Sequence, residues 1–192
     1  MERIVIFACL LSVVLMSSSS PTAVMGNYYS KSRVVPVPHT QKKTNLHFFM
    51  HDILSGNNPS SVLVAKPNGT VVGEGNVGPF GAVYVFDDPL TVGPDPNSEV
   101  IGNGRGLYAS TSRGSDPTLL LNGDLGFTSG EFNGSSISLF SRDPIFGVKE
   151  VAVVGGRGKF RMAQGFALLN AVYANATTGD AILEFHVTIF HQ

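Results

Sequence analysis

From residue 43 to residue 192 the chain alternates short apolar runs with clusters of glycine, proline, asparagine and aspartate. Runs with the length and the β-branched and aromatic bias of strands occupy 46–54, 61–65, 80–86, 106–110, 119–128, 136–140, 151–154, 165–173 and 181–190. Between them lie Ser55-Gly56-Asn57-Asn58-Pro59, Pro67-Asn68-Gly69, Asp87-Asp88-Pro89, Asn133-Gly134, Gly155-Gly156 and Thr178-Gly179-Asp180, each able to turn the chain through a positive or a fixed φ. Connections this short join antiparallel neighbours. No apolar i, i+3, i+4, i+7 stripe runs through this region, so the crossover helices of a parallel sheet are not predicted. The pattern predicts an all-β domain over residues 43–192, an antiparallel barrel of eight or nine strands.

Several runs are apolar on both faces. In 46–54, Leu46, Phe48 and Met50 alternate with Phe49 and Ile53. A barrel with a wet exterior does not need the second set, so the outer wall is expected to be covered by further copies of the chain.

The N-terminal segment reads differently. Arg3 is followed by an uncharged apolar run from Ile4 to Met16 and then by Ser17 to Ser20. That is the pattern of a secretory signal peptide. Its 13 apolar residues fall short of the roughly 20 that a membrane-spanning helix needs. Residues 1–22 are therefore expected to be removed, with the cut between Ser17 and Asn27. Residues 23–42, polar and broken by Pro36 and Pro38, are expected to form an extended arm. The only cysteine, Cys9, lies in the leader, so the exported domain is expected to hold together without disulfides. Export also gives meaning to the glycosylation triplets at Asn68, Asn133 and Asn175, whereas Asn58 is blocked by Pro59.

Composition narrows the chemistry. A net charge of −1, with 14% charged residues and no basic run beyond Lys42-Lys43, offers nothing to track a phosphate backbone, and nucleic acid is not an expected partner. His47 and His51 have the spacing of a helical zinc pair, but on a strand four residues span roughly 13 Å and one metal cannot bridge them. Gly155-Gly156-Arg157-Gly158-Lys159 has Phe160 where a phosphate loop needs Ser or Thr, and Gly102-Asn103-Gly104-Arg105-Gly106 lacks dinucleotide spacing. No Gly-x-Ser-x-Gly elbow occurs. Neither a metal nor a cofactor is predicted. What remains is a set of ionisable groups inside apolar strands: Asp52 after Phe48 and Met50, Tyr108, and Asp143 before Pro144-Ile145-Phe146. A carboxyl in an apolar cavity has a raised pKa and can serve as a neutral acid. The alternative is that both aspartates merely begin turns.

Six blocks carry a resemblance. Lys43-Thr44-Asn45-Leu46-His47-Phe48-Phe49-Met50-His51-Asp52 resembles the opening strand of plant dirigent proteins. Phe86-Asp87-Asp88-Pro89-Leu90-Thr91, Gly104-Arg105-Gly106-Leu107-Tyr108, Glu131-Phe132-Asn133-Gly134-Ser135-Ser136-Ile137-Ser138 and the block from Glu150 to Ala163 follow in family order, closed by Gly179-Asp180-Ala181-Ile182-Leu183-Glu184-Phe185. The resemblance implies an eight-stranded antiparallel barrel with an apolar lumen, of the dirigent and allene-oxide-cyclase-like kind. It also implies a homotrimer or homodimer, secreted to the plant apoplast and glycosylated.

The resemblance further implies that Asp52, Asp143 and Tyr108 are the pocket carboxyls and phenol, binding substrate hydroxyls and assisting proton transfer at a quinone methide carbon. Lys149 stands where the lignan-forming branch carries an arginine, and the two cations differ in fork geometry and hydration, so substrate and handedness do not carry over. Three activities follow as expectations. The first is a guide without oxidising power of its own, imposing stereoselectivity on phenoxy radicals that a laccase or peroxidase makes from monolignols such as coniferyl alcohol. The second is a dehydrating cyclase acting through a quinone methide, as relatives that make pterocarpans do. The third is a structural role in organising wall lignin.

Overall fold

The computed structural model describes residue 34 and residues 41–70, 78–147 and 149–192. The expected leader and nearly all of the expected arm lie outside these residues. Nine strands form in chain order: β1 (Lys42–Asp52), β2 (Ser61–Ala65), β3 (Val83–Thr91), β4 (Val100–Ser110), β5 (Thr118–Phe127), β6 (Ser136–Pro144), β7 (Lys149–Arg157), β8 (Gln164–Ala174) and β9 (Ala181–His191). The helical segments among the described residues are two 3₁₀ turns, Gly130–Phe132 and Gly158–Phe160.

Every pairing is antiparallel. The order β1-β9-β8-β7-β6-β5-β4-β3-β2 is closed by β1 meeting β3 through Phe49↔Thr91 and Met50↔Leu90. The ring is therefore a closed eight-stranded barrel, as the sequence implied. β2 is a ninth strand outside the ring: it pairs with β3 from Ser61↔Phe86 to Ala65↔Val83, the stretch of that edge which β1 leaves free. Closure gives each barrel strand a partner on both sides, although β1 meets β3 at only two residue pairs.

Two of the expected turns are strand instead, and so is the glycine run that lacked dinucleotide spacing. Asp87-Asp88-Pro89 continues β3, Gly155-Gly156 lies within β7, and Gly102 to Gly106 belongs to β4. Pro89 is tolerated for a reason of register. The Asp87 N–H donates to Ser60 O, and alternate residues face the same neighbour, so the donor that proline lacks would point into the gap between the β2-paired and β1-paired parts of this edge. Gly155 borders a bulge at Val154, where pairing with β6 jumps from Ser138↔Gly155 to Leu139↔Val153.

Through the middle of the barrel the inward residues of the ring strands are mostly apolar, and Phe48, Phe86, Leu125, Ile137, Val151 and Phe185 belong to one continuous core. One end of the barrel is filled by rings. Phe160 lies 6.0 Å from Phe127, 4.7 Å from Phe132 and 5.3 Å from His191 between centroids, and both 3₁₀ turns contribute a ring to this plug. In the middle of the barrel the Phe86 ring fits because β4 and β5 present glycine to the lumen. A Cβ on Gly106 would stand 2.8 Å from Phe86 Cζ and 2.1 Å from the Asn122 carbonyl oxygen, and one on Gly104 would stand 2.9 Å from Leu125 Cδ2. The glycine run that failed as a cofactor loop is the flat wall against which the core packs.

The outer face partly corrects the argument from two-sided strands. Phe49 points outward yet is 6% exposed, paired with Thr91 and packed edge-on against His47 at 5.3 Å. Its burial is already supplied within the chain. The uncovered apolar residues lie elsewhere: Val85, Leu107, Leu120, Phe140, Val154, Phe166 and Leu168 are exposed on the wall from β3 to β8.

The glycine wall gives a test. Gly106→Ala is expected to cost about 1–3 kcal/mol or to prevent folding, because the new methyl meets a backbone oxygen that cannot move aside. Gly123→Ala meets only the Phe86 ring, at 3.0 Å, and is expected to cost less. Urea denaturation of the two variants checks the order; equal costs would show that the wall yields.

Candidate functional site

The end of the barrel opposite the aromatic plug is polar inside. β1 reaches it with its last residue, Asp52, two positions beyond Met50 and four beyond Phe48, on the same inward face. β3 brings Tyr84 and Asp88 on the face that also carries Phe86, and β4 brings Tyr108, directly opposite Tyr84 in register. β6 ends in Asp143 and Pro144, and Lys149 opens β7. Ser61, the first residue of β2, is buried among them. Asp52, Tyr108, Asp143 and Lys149 thus gather at one mouth. Both aspartates lie in strands and do not begin turns.

The Tyr84 and Tyr108 rings stack at 5.0 Å with 19° between planes, making an aromatic wall beside the carboxyls. The Ser61 hydroxyl donates to Asp88 Oδ1 at 3.4 Å. Hydroxyls of Ser61 and Tyr108 also hydrogen-bond Asp52. One oxygen on each acid has no such partner: Asp52 Oδ1 and Asp88 Oδ2 are sealed from solvent without accepting a hydrogen bond. On the far side, Lys149 Nζ lies 3.4 Å from Asp143 Oδ1, with side-chain exposures of 11% and 7%.

Burial sets the protonation of this cluster. It pushes Asp52 up to about 6, against the pull of the Ser61 and Tyr108 hydrogen bonds, with the nearby Asp180 charge adding to the rise. It pushes Asp88 up to about 8, helped by the negative charge of Asp52. Tyr108 is also raised by burial and by Asp52, so its hydroxyl keeps its proton. Asp143 is raised too, because desolvation outweighs the attraction of Lys149. The Lys149 charge reaches Asp52 as well and ties the two halves of the mouth together. Such a site can offer a proton from one carboxyl and accept one at another, beside a surface suited to a flat phenol.

Asp88 was not among the expected site residues, nor were Ser61 and Tyr84. The alternation Tyr84, Phe86, Asp88 would have turned Asp88 inward, but reading Pro89 as a turn cut the strand before the pattern reached it. At the surface, Asn68 and Asn133 are exposed, whereas Asn175 is half-buried and its Oδ1 accepts the N–H groups of Thr177 and Thr178.

The cluster predicts a pH dependence of stability. Asp88 binds its proton more tightly in the folded than in the unfolded chain, so its contribution is fully present below the unfolded value of about 3.9 and is lost as pH rises toward about 8. Asp88→Asn keeps the shape and removes the ionisation. Its melting temperature relative to the parent is expected to rise between pH 5 and pH 9. A constant difference across that range, measured by thermal melts, would mean that Asp88 titrates normally.

Comparison with known proteins accords with this geometry. The model of the family described as Dirigent-like protein matches residues 43–190. Dirigent protein 15 of Arabidopsis thaliana is 46% identical over 169 residues, spanning 86% of this chain and 88% of the relative. Pterocarpan synthase 1 of Glycyrrhiza echinata is 42% identical over 85% of this chain and 86% of its own. A solved structure of a pterocarpan synthase dirigent protein superposes with a TM-score of 0.74 at 40% identity, covering 82% of this chain and 89% of that one. On its motifs, its barrel and its relatives, the chain belongs to the dirigent family.

Proposed function

We propose that the protein is a dehydrating cyclase acting on a phenol that carries a benzylic hydroxyl, in the manner of the relatives named pterocarpan synthases. The observation that carries this reading is the pair of buried carboxyls, Asp52 and Asp88, packed beside the stacked Tyr84 and Tyr108 rings and across from the Asp143 and Lys149 ion pair, where burial holds both above the ordinary carboxylate range.

In this reading the substrate stacks on the tyrosines with its benzylic hydroxyl toward Asp52. Asp52 gives its proton to that hydroxyl, which leaves as water, while Asp143 takes the proton of the conjugated phenol. The product is a neutral quinone methide. A second phenolic hydroxyl of the same molecule attacks the exposed carbon and returns its proton to Asp52, and Asp143 reprotonates the first phenol oxygen. The sum is loss of one water, with no oxidant consumed. Lys149 steadies the Asp143 carboxylate during the interval when it is charged.

A second reading is favoured by the 46% identity to an Arabidopsis dirigent protein and by the aromatic interior: a guide that holds two phenoxy radicals, made by a separate laccase or peroxidase, for stereoselective coupling. In either case we propose an exported, glycosylated protein acting in the apoplast. We also propose that the apolar outer wall is covered by further copies. Light scattering is expected to show an oligomer, and Phe140→Asp with Phe166→Asp is expected to yield monomers; a monomeric parent would overturn this.

Chiral chromatography separates the activities. The purified glycosylated protein is given a 2′-hydroxyisoflavanol or coniferyl alcohol, each with and without a one-electron oxidase. Ring-closed product from the isoflavanol without oxidase is expected, and Asp52→Asn is expected to slow it roughly 100-fold or more. Enantiomeric excess that arises only from coniferyl alcohol with oxidase would establish the guide instead.

A further inference from the structure

A second group of chemistry-bearing side chains lies outside the barrel, on the seam between β1 and β9. His47 and His186 are directly opposed in the register of the two strands, and Glu184, two positions before His186, projects from the same outer face. The imidazoles stack at 4.6 Å with 14° between planes. Glu184 Oε1 lies 2.8 Å from His47 Nε2 and 3.4 Å from His186 Nε2. The three ligand atoms are all within 4.8 Å of one another.

We propose that His47, Glu184 and His186 form a binding site for a divalent transition-metal ion of the zinc class. Two imidazole nitrogens and one carboxylate oxygen suit zinc and its neighbours, whereas magnesium and calcium call for oxygen donors throughout. Tetrahedral zinc, with bonds of about 2.0–2.2 Å, spaces its ligand atoms about 3.3–3.5 Å apart. The 3.4 Å separation from His186 to Glu184 lies in that range and the 2.8 Å separation from His47 is shorter, while all three ligand atoms fall within 4.8 Å, so loading the site asks only for side-chain adjustment at these half-exposed imidazoles.

The support beneath the triad is rigid. β1 and β9 pair without a break from Lys42↔His191 to Asp52↔Ala181, and their inward residues Phe48 and Phe185 are 1% and 0% exposed. Asn170 Nδ2 stands 3.5 Å from Glu184 Oε2, a second hold on the carboxylate. The two imidazoles are about half exposed, which gives an ion access and leaves its remaining position to water or to a donor from another molecule.

The pair rejected from the sequence alone stays rejected, since His51 is buried and its Nε2 is engaged with Thr91 Oγ1 at 2.8 Å. The partner of His47 lies across the seam.

The test is calorimetric titration of zinc chloride into the mature full-length protein, freed of any purification tag and stripped with a chelator. About one ion per chain, with micromolar affinity, is expected. His186→Ala and Glu184→Gln are each expected to weaken binding at least about tenfold, while magnesium gives no saturable signal. Circular dichroism of each variant confirms that the barrel is intact. Absence of saturable zinc binding, or binding that survives both seam substitutions, would overturn the proposal, and neither result depends on the cyclase or guide activity.

Discussion

The interior volume of an eight-stranded ring is the constraint to which the rest of this structure answers. Such a ring has room for side chains and little more. Phe86 occupies the middle of it beside Phe48 and Phe185 because Gly104, Gly106 and Gly123 stand where its ring would otherwise meet a side chain. With the middle filled, the two ends are free to differ. One is stopped by Phe127, Phe132, Phe160 and His191; the other keeps space for carboxyls and tyrosines.

The polar mouth owes its chemistry to that same crowding. A carboxyl at the rim of an apolar tube cannot be well hydrated, so it holds its proton unless a cation lies close. Asp143 has Lys149 within ion-pair distance, whereas Asp52 and Asp88 have chiefly hydroxyls and each other. One architecture thus supplies acids of different readiness without a bound cofactor having to tune them.

Much of this was legible in the chain. Period-2 alternation in 46–54 put Asp52 on the face of Phe48 and Met50, and the motif order brought Tyr108, Asp143 and Lys149 to the same site. Local reasoning failed where a residue's meaning came from a distant strand. Pro89 reads as a terminator until it is known that its side of β3 lacks a partner at that point. Phe49 reads as an exposed apolar residue until His47 and Thr91 are seen to cover it. His47 has no metal-binding companion within reach along its own strand, and Glu184, which touches it, is 137 residues away.

The ring is also uneven in how firmly it is joined. β1 holds β9 through eleven consecutive residue pairs but holds β3 through two. A loop of equal links has no preferred place to part, and this one does. Separation along the β1 and β3 line would convert the cylinder into an open, curled sheet while every other ladder stayed whole. Asp52 and Asp88 sit on the two lips of that line, so the polar end of the barrel coincides with its line of least resistance.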